Sequence, residues 1–200
     1  MSAITPLHTA PPTRPAARVP LDHDGPFARF ALWASRRLYG KVLDPVRVAL
    51  HHRPVLMGTL VLEAAASRWK KLPPTLNALA VMVVAREIGC SWCMDFGYWE
   101  SHHRSIDPTK LQAVSRWRTS EVFTPLERAV MEYAVAATQT PPTVTDELVA
   151  RLREDLSDAQ VVELAALVSL ENYRSRTNAA LGLTSQGFKD DCDVPWDEAR

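Results

Sequence analysis

Residues 75–104 read TLNALAVMVVAREIGCSWCMDFGYWESHHR, and this stretch decides the fold class. Its first half is almost entirely apolar and rich in alanine, which predicts a helix buried on most of its sides. A buried strand over residues 81–84 is the competing local interpretation, but the length of the run favours the helix. A glycine then ends this helix, and the pair Cys90 and Cys93 opens the next one, which reaches about Arg104.

The start signals on both sides of this stretch are helical as well. Thr124-Pro125-Leu126-Glu127 combines an N-cap, a proline at the first helical position and a glutamate at the third. A second capping box, Ser157-Asp158-Ala159-Gln160, opens the last and longest helix. The other predicted helices start near Phe27, Asp44, Pro54, Asp107 and Asp146. Since no strand pair with hairpin turn residues is present, we expect an all-α, single-domain helical bundle.

The two ends of the chain differ in composition from this helical middle. Residues 1–26 contain six of the fifteen prolines and no periodic apolar face, so we expect a flexible, disordered Pro-rich arm. Residues 27–190 are expected to form the helical domain. Residues 191–200 are expected to form a polar tail, which includes a third cysteine, Cys192.

The charge balance and the cysteine count exclude several classes of protein. The chain of 200 residues carries 23 Lys and Arg against 23 Asp and Glu, so no nucleic acid is expected as a partner. Three cysteines are too few for a secreted disulfide scaffold. The apolar runs are shorter than the roughly 20 residues of a membrane span, and the start lacks a signal peptide. We therefore expect a cytoplasmic protein with no membrane partner.

The spacing of Cys90 and Cys93 predicts redox chemistry. Residues three apart lie on one face of a helix, so the two sulfurs can meet. The first turn of a helix carries unpaired N–H groups and the positive end of the dipole, and both favour a thiolate. A thiolate attacks a peroxide, and the second cysteine then converts the sulfenic acid into a disulfide.

Two other interpretations of the cysteine pair stay open. Free cysteines often behave as small, inert apolar residues in a helical core. A zinc site would need two further ligands, and His102 and His103 are awkward donors because adjacent helical residues point about 100° apart. The sequence contains no Gly-rich phosphate loop or dinucleotide fingerprint, so neither a cofactor nor a metal is expected.

The segment around the cysteines resembles a known family. Residues 85–97, AREIGCSWCMDFG, are similar to the core of the carboxymuconolactone decarboxylase-like, alkylhydroperoxidase D-like family. Three later runs resemble members of the same family: TPLER at 124–128, TPP at 140–142 and ENYR at 171–174. The resemblance covers about residues 27–190. It implies an all-helical fold and a homo-oligomer, either a dimer, a trimer or a hexamer.

The resemblance also implies roles for the two cysteines. In the redox branch of the family the second cysteine attacks a hydroperoxide and the first resolves the product, which would make Cys93 the attacking thiol and Cys90 the resolving thiol. That chemistry needs an external dithiol reductant. The decarboxylase branch generally lacks the cysteine pair, so the pair favours the redox branch.

The sequence departs from the redox branch at its proton relay. The family places a glutamate twelve residues before the first cysteine and a histidine four residues after the second, where this chain has Ala78 and Gly97. Glu87, Glu100 and His103 are the residues predicted to substitute for them. The aromatic residues Trp92, Tyr98 and Trp99 are predicted to wall a pocket for an organic hydroperoxide, although such residues more often belong to a core or interface.

The sequence therefore predicts a peroxiredoxin-like, antioxidant oxidoreductase that reduces a small organic hydroperoxide. Two alternatives stay open. The missing relay favours a non-catalytic, ligand-binding helical oligomer. Family analogy alone favours a cofactor-free lactone decarboxylase-like lyase, which a carboxylate ligand bound near Arg86 or Arg174 would support. The polar second half of the last helix, with Glu171, Arg174 and Asn178, is either solvated or a buried network, at an oligomer interface or beneath the cysteines. For Arg174 and Asn178, structural hydrogen bonding is favoured over catalysis.

Overall fold

The computed structural model describes residues 17–192, and this part of the chain is all-helical and contains no strand. It has two short 3₁₀ helices, Val114–Arg116 and Lys189–Asp191. The nine α-helices of these residues are α1 (Pro26–Tyr39), α2 (Asp44–Ala49), α3 (Arg53–Ala66), α4 (Pro74–Ile88), α5 (Ser91–His103), α6 (Pro108–Ala113), α7 (Pro125–Thr138), α8 (Asp146–Arg153) and α9 (Asp158–Ala180). The predicted fold class is confirmed.

Helix α4 is the centre of the molecule. It packs against α5, α7 and α9, and the side chains of Leu79, Met82 and Val84 on different sides of it are all buried. Burial on most sides of a helix is what an almost continuous apolar sequence predicts, because few of its residues have to meet water. The helical interpretation of residues 75–88 is therefore confirmed, and the alternative strand over residues 81–84 is wrong.

The junction between α4 and α5 brings the cysteine pair to a helix start. Gly89 ends α4 in the left-handed conformation, with a φ of 78° that glycine adopts without strain. Cys90 follows at once as the N-cap of α5. The two capping boxes read from the sequence are also present, at the starts of α7 and α9. Each such cap stabilises its helix by about 1 kcal/mol.

The buried apolar residues form a main core, a small cluster between α1 and α3, and a third group around the cysteines. We call the third group the cysteine cluster. Its members are Leu43, Val48, Ala85, Cys90, Trp92, Cys93, Leu183 and Phe188. Ala17, Val19 and Leu21 pack against it as well, which the sequence did not indicate for the predicted arm. Residues 1–16 of that arm and residues 193–200 of the predicted tail lie outside the described residues.

Residues 181–189, which we call the C-terminal strap, cross over the cysteine cluster. The buried carboxylate of Asp95 on α5 holds the strap by accepting the backbone N–H groups of Gln186, at 2.7 Å, and Lys189, at 2.8 Å. The side-chain oxygen of Gln186 accepts the indole N–H of Trp92 at 2.7 Å. On the arm side, the Arg18 backbone N–H donates to the carbonyl of Leu181 at 2.9 Å. Both ends of the described chain therefore meet over the cysteines.

Helices α1 and α3 expose apolar side chains. On α3 only Leu56 is buried, and the helix contacts α9 through polar side chains, with the Thr59 and Tyr173 hydroxyls 2.8 Å apart. The exposed apolar residues of the two helices are Phe30, Trp33, Leu38, Val55, Met57, Leu60, Val61 and Leu62. We call this set the α1–α3 face. None of the helices in residues 17–192 has the length and hydrophobicity that a bilayer crossing requires.

Candidate active site

Cys90 and Cys93 are joined by a disulfide in the first turn of α5, with their Cα atoms 5.3 Å apart. The reason is local geometry: the N-cap and the third residue of a helix lie over one another, and the backbone N–H of Cys93 donates to Cys90 Sγ at 3.2 Å. This N–H belongs to the unpaired donors of the first turn, which favour a thiolate once the disulfide is reduced. The predicted position of the pair at a helix start is confirmed.

The two sulfurs have different surroundings. Cys90 is 1% exposed and Cys93 is 6% exposed, so Cys93 is the more accessible of the two. Cys93 Sγ also accepts a hydrogen bond from the side-chain amide of Asn178 on α9, at 3.4 Å. Among residues 17–192, Cys90 Sγ thus accepts a backbone N–H of α5 and Cys93 Sγ accepts a side-chain N–H of α9.

The donor to Cys93 belongs to a line of buried polar residues on α9. Glu171, Ser175 and Asn178 are spaced four and three residues apart, which places them on one face of the helix. All three are buried, with Glu171 only 2% exposed. Ser175 Oγ donates to Glu171 Oε1 at 2.7 Å. The guanidinium of Arg174 contacts Glu171 at 3.3 Å and also pairs with Glu63 on α3.

The Glu171 carboxyl group is unusual in its acidity. Burial raises its pKa from 4.5 to about 7. The Arg174 charge and the hydrogen bonds from Ser175 and Arg174 lower the pKa by less than burial raises it. The nearby charge of Glu63 adds to the rise. For Arg174, burial lowers the pKa, but the hydrogen bond to Glu63 and the charges of both glutamates raise it by more. Arg174 therefore stays protonated, and Glu171 is able to change charge near neutral pH.

Aromatic rings form a wall beside the disulfide. The Phe96 ring stacks on the Trp92 ring, with their centres 5.0 Å apart, and makes an edge contact with Tyr39 at 5.6 Å. Trp99 and Phe188 complete the group, at 5.6 Å and 5.3 Å from Phe96. Burial, and after it the charges of Glu100 and Glu63, raise the pKa of the Tyr39 hydroxyl, whereas the Arg174 charge lowers it. Since the net shift is upward, that hydroxyl stays neutral.

Comparison with known proteins decides the family. A model of the carboxymuconolactone decarboxylase family matches residues 56–136. The uncharacterized protein YnjA of Escherichia coli (strain K12) is 34% identical over 185 residues, which cover 90% of this chain and 96% of that protein. The chain belongs to the carboxymuconolactone decarboxylase family.

Solved structures share the fold of this family member. The alkylhydroperoxidase AhpD core of an uncharacterized peroxidase-related protein from Ralstonia eutropha JMP134 matches with a TM-score of 0.78 and 16% identity, over 90% of this chain and 98% of that chain. The debrominase Bmp8 matches with a TM-score of 0.72 and 18% identity, over 82% of this chain and 89% of that chain. At these identities the similarity shows the fold alone.

The hydrogen bonds of the three predicted relay residues lead elsewhere. Glu87 accepts from Gln139 on α7 at 2.8 Å, and Glu100 pairs with Arg104 at 2.8 Å. His103 Nδ1 lies 2.8 Å from the carbonyl oxygen of Trp99. Glu87 and His103 are exposed at the surface. The structure therefore shows no hydrogen bond from any of the three to a cysteine sulfur.

The structure brings two of the three predicted pocket residues to the cysteines. Trp92 is a member of the cysteine cluster and Trp99 packs against it, whereas Tyr98 is fully buried in the main core. The sequence did not indicate Tyr39, Phe96 or Phe188 as pocket residues. Periodicity could have suggested Phe96, since it lies four residues after Trp92 on α5.

The two positions that depart from the redox branch of the family have physical explanations. A Cβ atom at Gly97 would lie 2.8 Å from Sδ of the fully buried Met82 on α4, so a histidine there would require the Met82 side chain to shift. Ala78 lies in the main core among apolar neighbours, where a glutamate would be buried. The polar group that reaches Cys93 comes instead from α9, through Asn178.

The α9 network answers a question that the sequence left open. Of the two interpretations of the polar half of α9, a solvated surface is wrong for Glu171, Ser175 and Asn178, because they are buried and Asn178 touches the cysteine pair. The spacing of four and three residues was the signal, but a spacing does not say which side a helix buries. Within residues 17–192, no group of three His, Cys, Asp or Glu side chains is placed to hold a metal ion.

Proposed function

We propose that this protein reduces organic hydroperoxides through the Cys90–Cys93 pair, with Cys93 as the attacking thiol. The observation that carries the proposal is the position of both cysteines in the first turn of α5, close enough to form a disulfide. In the cycle, the Cys93 thiolate attacks a peroxide oxygen, the O–O bond breaks, and the alkoxide leaves and takes up a proton. The Cys90 thiolate then attacks the Cys93 sulfenic acid, and water leaves as the S–S bond forms.

The balance of this cycle is two thiols and one hydroperoxide converted into one disulfide, one alcohol and one water. The pair supplies both electrons, so an external dithiol must reduce the disulfide before the next turnover. A compartment that keeps such donors reduced is required, and the cytoplasm meets this requirement.

Accessibility supports Cys93 as the attacking residue. The attacking sulfur has to meet the substrate, whereas the resolving sulfur has to meet only its neighbour. Cys93 is the more exposed of the two, and it faces the side-chain amide of Asn178. The aromatic wall of Tyr39, Phe96 and Trp99, whose members are partly exposed, supports a substrate with an apolar organic group.

Trapping the sulfenic acid tests the proposal. In Cys90→Ser, cumene hydroperoxide should leave a dimedone-reactive sulfenic acid on Cys93, located by mass spectrometry of peptides. In Cys93→Ser no such adduct should form, and Cys192→Ser is the matched control, since it should keep one disulfide per oxidised chain. A reduced pair that survives stoichiometric peroxide in the unmodified protein would contradict the proposal and favour a non-catalytic, ligand-binding scaffold.

We also propose that the protein assembles into a homo-oligomer through the α1–α3 face. Eight large apolar side chains of this face are more than a third exposed, and Leu38 is 72% exposed. Apolar patches of this kind on a soluble monomer usually mark an interface. Only one residue of α3 is buried within the chain, so contact with a second copy would supply the apolar packing that α3 lacks.

A further inference from the structure

We propose that α9 supplies the proton relay of this family member, with Glu171 as the proton acceptor and donor, Ser175 as the link and Asn178 as the residue that positions the Cys93 sulfur. This inference rests on the proposed function and adds the residues that move the proton. It replaces Glu87, Glu100 and His103, whose hydrogen bonds lead elsewhere.

The cycle requires a group that takes a proton and later returns it. The Cys93 thiol has to lose its proton before it attacks, and the alkoxide that leaves has to gain one. In the proposed relay, the Glu171 carboxylate takes up the thiol proton, so that the pair becomes a thiolate and a neutral carboxyl group. When the O–O bond breaks, that proton passes to the alkoxide and Glu171 is a carboxylate again. No other proton source is consumed.

Asn178 fixes one end of the relay. Its amide donates to Cys93 Sγ at 3.4 Å, and both residues are buried. An amide does not titrate, so Asn178 cannot carry the proton itself. Its N–H group stabilises the thiolate by a hydrogen bond and holds the sulfur against α9.

Ser175 connects this end to the carboxyl group. It is 0% exposed and lies on the same face of α9 as Asn178, three residues earlier. Its hydroxyl donates to Glu171 Oε1 at 2.7 Å. A hydroxyl group both donates and accepts, so it can pass a proton in either direction. Ser175 precedes Asn178 by about one helical turn, a rise of about 4.5 Å along the axis of α9. The proposed relay therefore includes one water between the Ser175 hydroxyl and the Cys93 sulfur.

The charges around Glu171 suit the role of acid and base. Arg174 on the same helix and Glu63 on α3 are the charged groups that act on it, with opposite effects. Burial outweighs their sum and raises the Glu171 pKa to about 7. A group with a pKa near the working pH is present in both protonation states, which general acid–base catalysis requires.

The test is the pH dependence of Cys93 reactivity in Glu171→Gln. Glutamine keeps the shape and the acceptor for Ser175 but cannot take up a proton. In a Cys90→Ser background, the rate of alkylation by iodoacetamide is measured from pH 5 to 9. We expect an inflection near pH 7 that the Glu171→Gln variant lacks, and a rate of peroxide oxidation at pH 7 that falls roughly 10- to 100-fold.

A matched control and a second variant keep the test decisive. Glu163→Gln changes another buried glutamate of α9, which accepts the backbone N–H groups of Lys71 and Leu72 at 2.9 Å, and should leave the pH profile unchanged. Glu171→Asp should restore part of the inflection. An identical profile and oxidation rate in Glu171→Gln and the unmodified protein would overturn the relay. A pair that peroxide never oxidises would overturn the proposed function, while the alkylation profile would still decide the relay.

Discussion

At Gly97 the backbone of α5 comes so close to α4 that a Cβ atom would lie 2.8 Å from the sulfur of Met82. A helical glycine normally weakens its helix, by about 1 kcal/mol relative to alanine. Here the glycine allows close packing, since a Cβ atom would force the fully buried Met82 side chain to shift within a packed core. Because Gly97 has no side chain, α5 can approach α4 closely about one helical turn after Cys93.

Gly97→Ala should therefore destabilise the protein by about 1 kcal/mol, although alanine is the better helix former. The matched control is Gly58→Ala on α3, where a Cβ atom would meet nothing within 4 Å. That variant should be as stable as the unmodified protein or more stable, by up to about 1 kcal/mol. Urea denaturation measures both values. A stabilised Gly97→Ala variant would show that Met82 moves freely.

The raised pKa of Glu171 predicts how stability depends on pH. Between about pH 4.5 and 7 the folded protein keeps a proton on Glu171 that the unfolded chain has already lost. The free energy of unfolding of the unmodified protein, relative to that of Glu171→Gln, therefore falls by up to about 3 kcal/mol as the pH rises through this window. Above the window the difference is constant. Urea denaturation of both proteins at pH 5 and pH 8 measures the change. Equal differences at the two values would show that the carboxyl group is ionised throughout.

At the scale of elements, the parts that could be predicted from sequence are those with local signals. The apolar run of α4, its terminal glycine and the capping boxes of α7 and α9 are each contained within a few consecutive residues. The C-terminal strap could not be predicted, because it has no periodicity and is held by Asp95, 91 residues before its partner Gln186. Whether the polar half of α9 lies beneath the cysteines stayed open for the same reason, since 85 residues separate Asn178 from Cys93.

The strap predicts a link between stability and access to the disulfide. Asp95→Asn keeps the size of the side chain but leaves one of the two strap N–H groups without an acceptor, which costs about 1–3 kcal/mol. We expect a lower melting temperature and faster reduction of the Cys90–Cys93 disulfide by a small phosphine. Asp107→Asn, which keeps an N-cap on α6, is the control and should change neither. Unchanged reduction in a destabilised Asp95→Asn variant would show that the strap does not limit access.

At the scale of the whole molecule, the net charge and the exposed apolar surface both bear on association between copies of the chain. The formal net charge is zero, so copies of the chain do not repel one another strongly at neutral pH. The α1–α3 face meanwhile exposes aromatic and aliphatic side chains in a monomer. Glu63, in the last turn of α3, also pairs with Arg174. Assembly through the α1–α3 face would therefore hold α3 in place, and with it the Glu63 charge that acts on Glu171.

The proposed oligomer predicts a difference between two equally exposed valines. Val61 on α3 is 67% exposed and Val162 on α9 is 68% exposed. Val61→Glu places a charge in the proposed interface, so light scattering after size-exclusion chromatography should show a smaller particle. Val162→Glu should leave the mass unchanged. A monomeric unmodified protein, or equal effects of the two substitutions, would contradict assembly through this face.

The hydrogen bond between the Arg18 N–H and the Leu181 carbonyl joins residues 17–21 to the C-terminal strap. Because residues of segment 17–21 and of the C-terminal strap both pack on the cysteine cluster, we expect the two segments to slow the approach of a reductant to the disulfide. A chain that begins at residue 22 should be reduced faster by an external dithiol than one that begins at residue 17. Deletions in these two segments should then shorten the lifetime of the Cys90–Cys93 disulfide under a given concentration of reductant, although neither cysteine is changed.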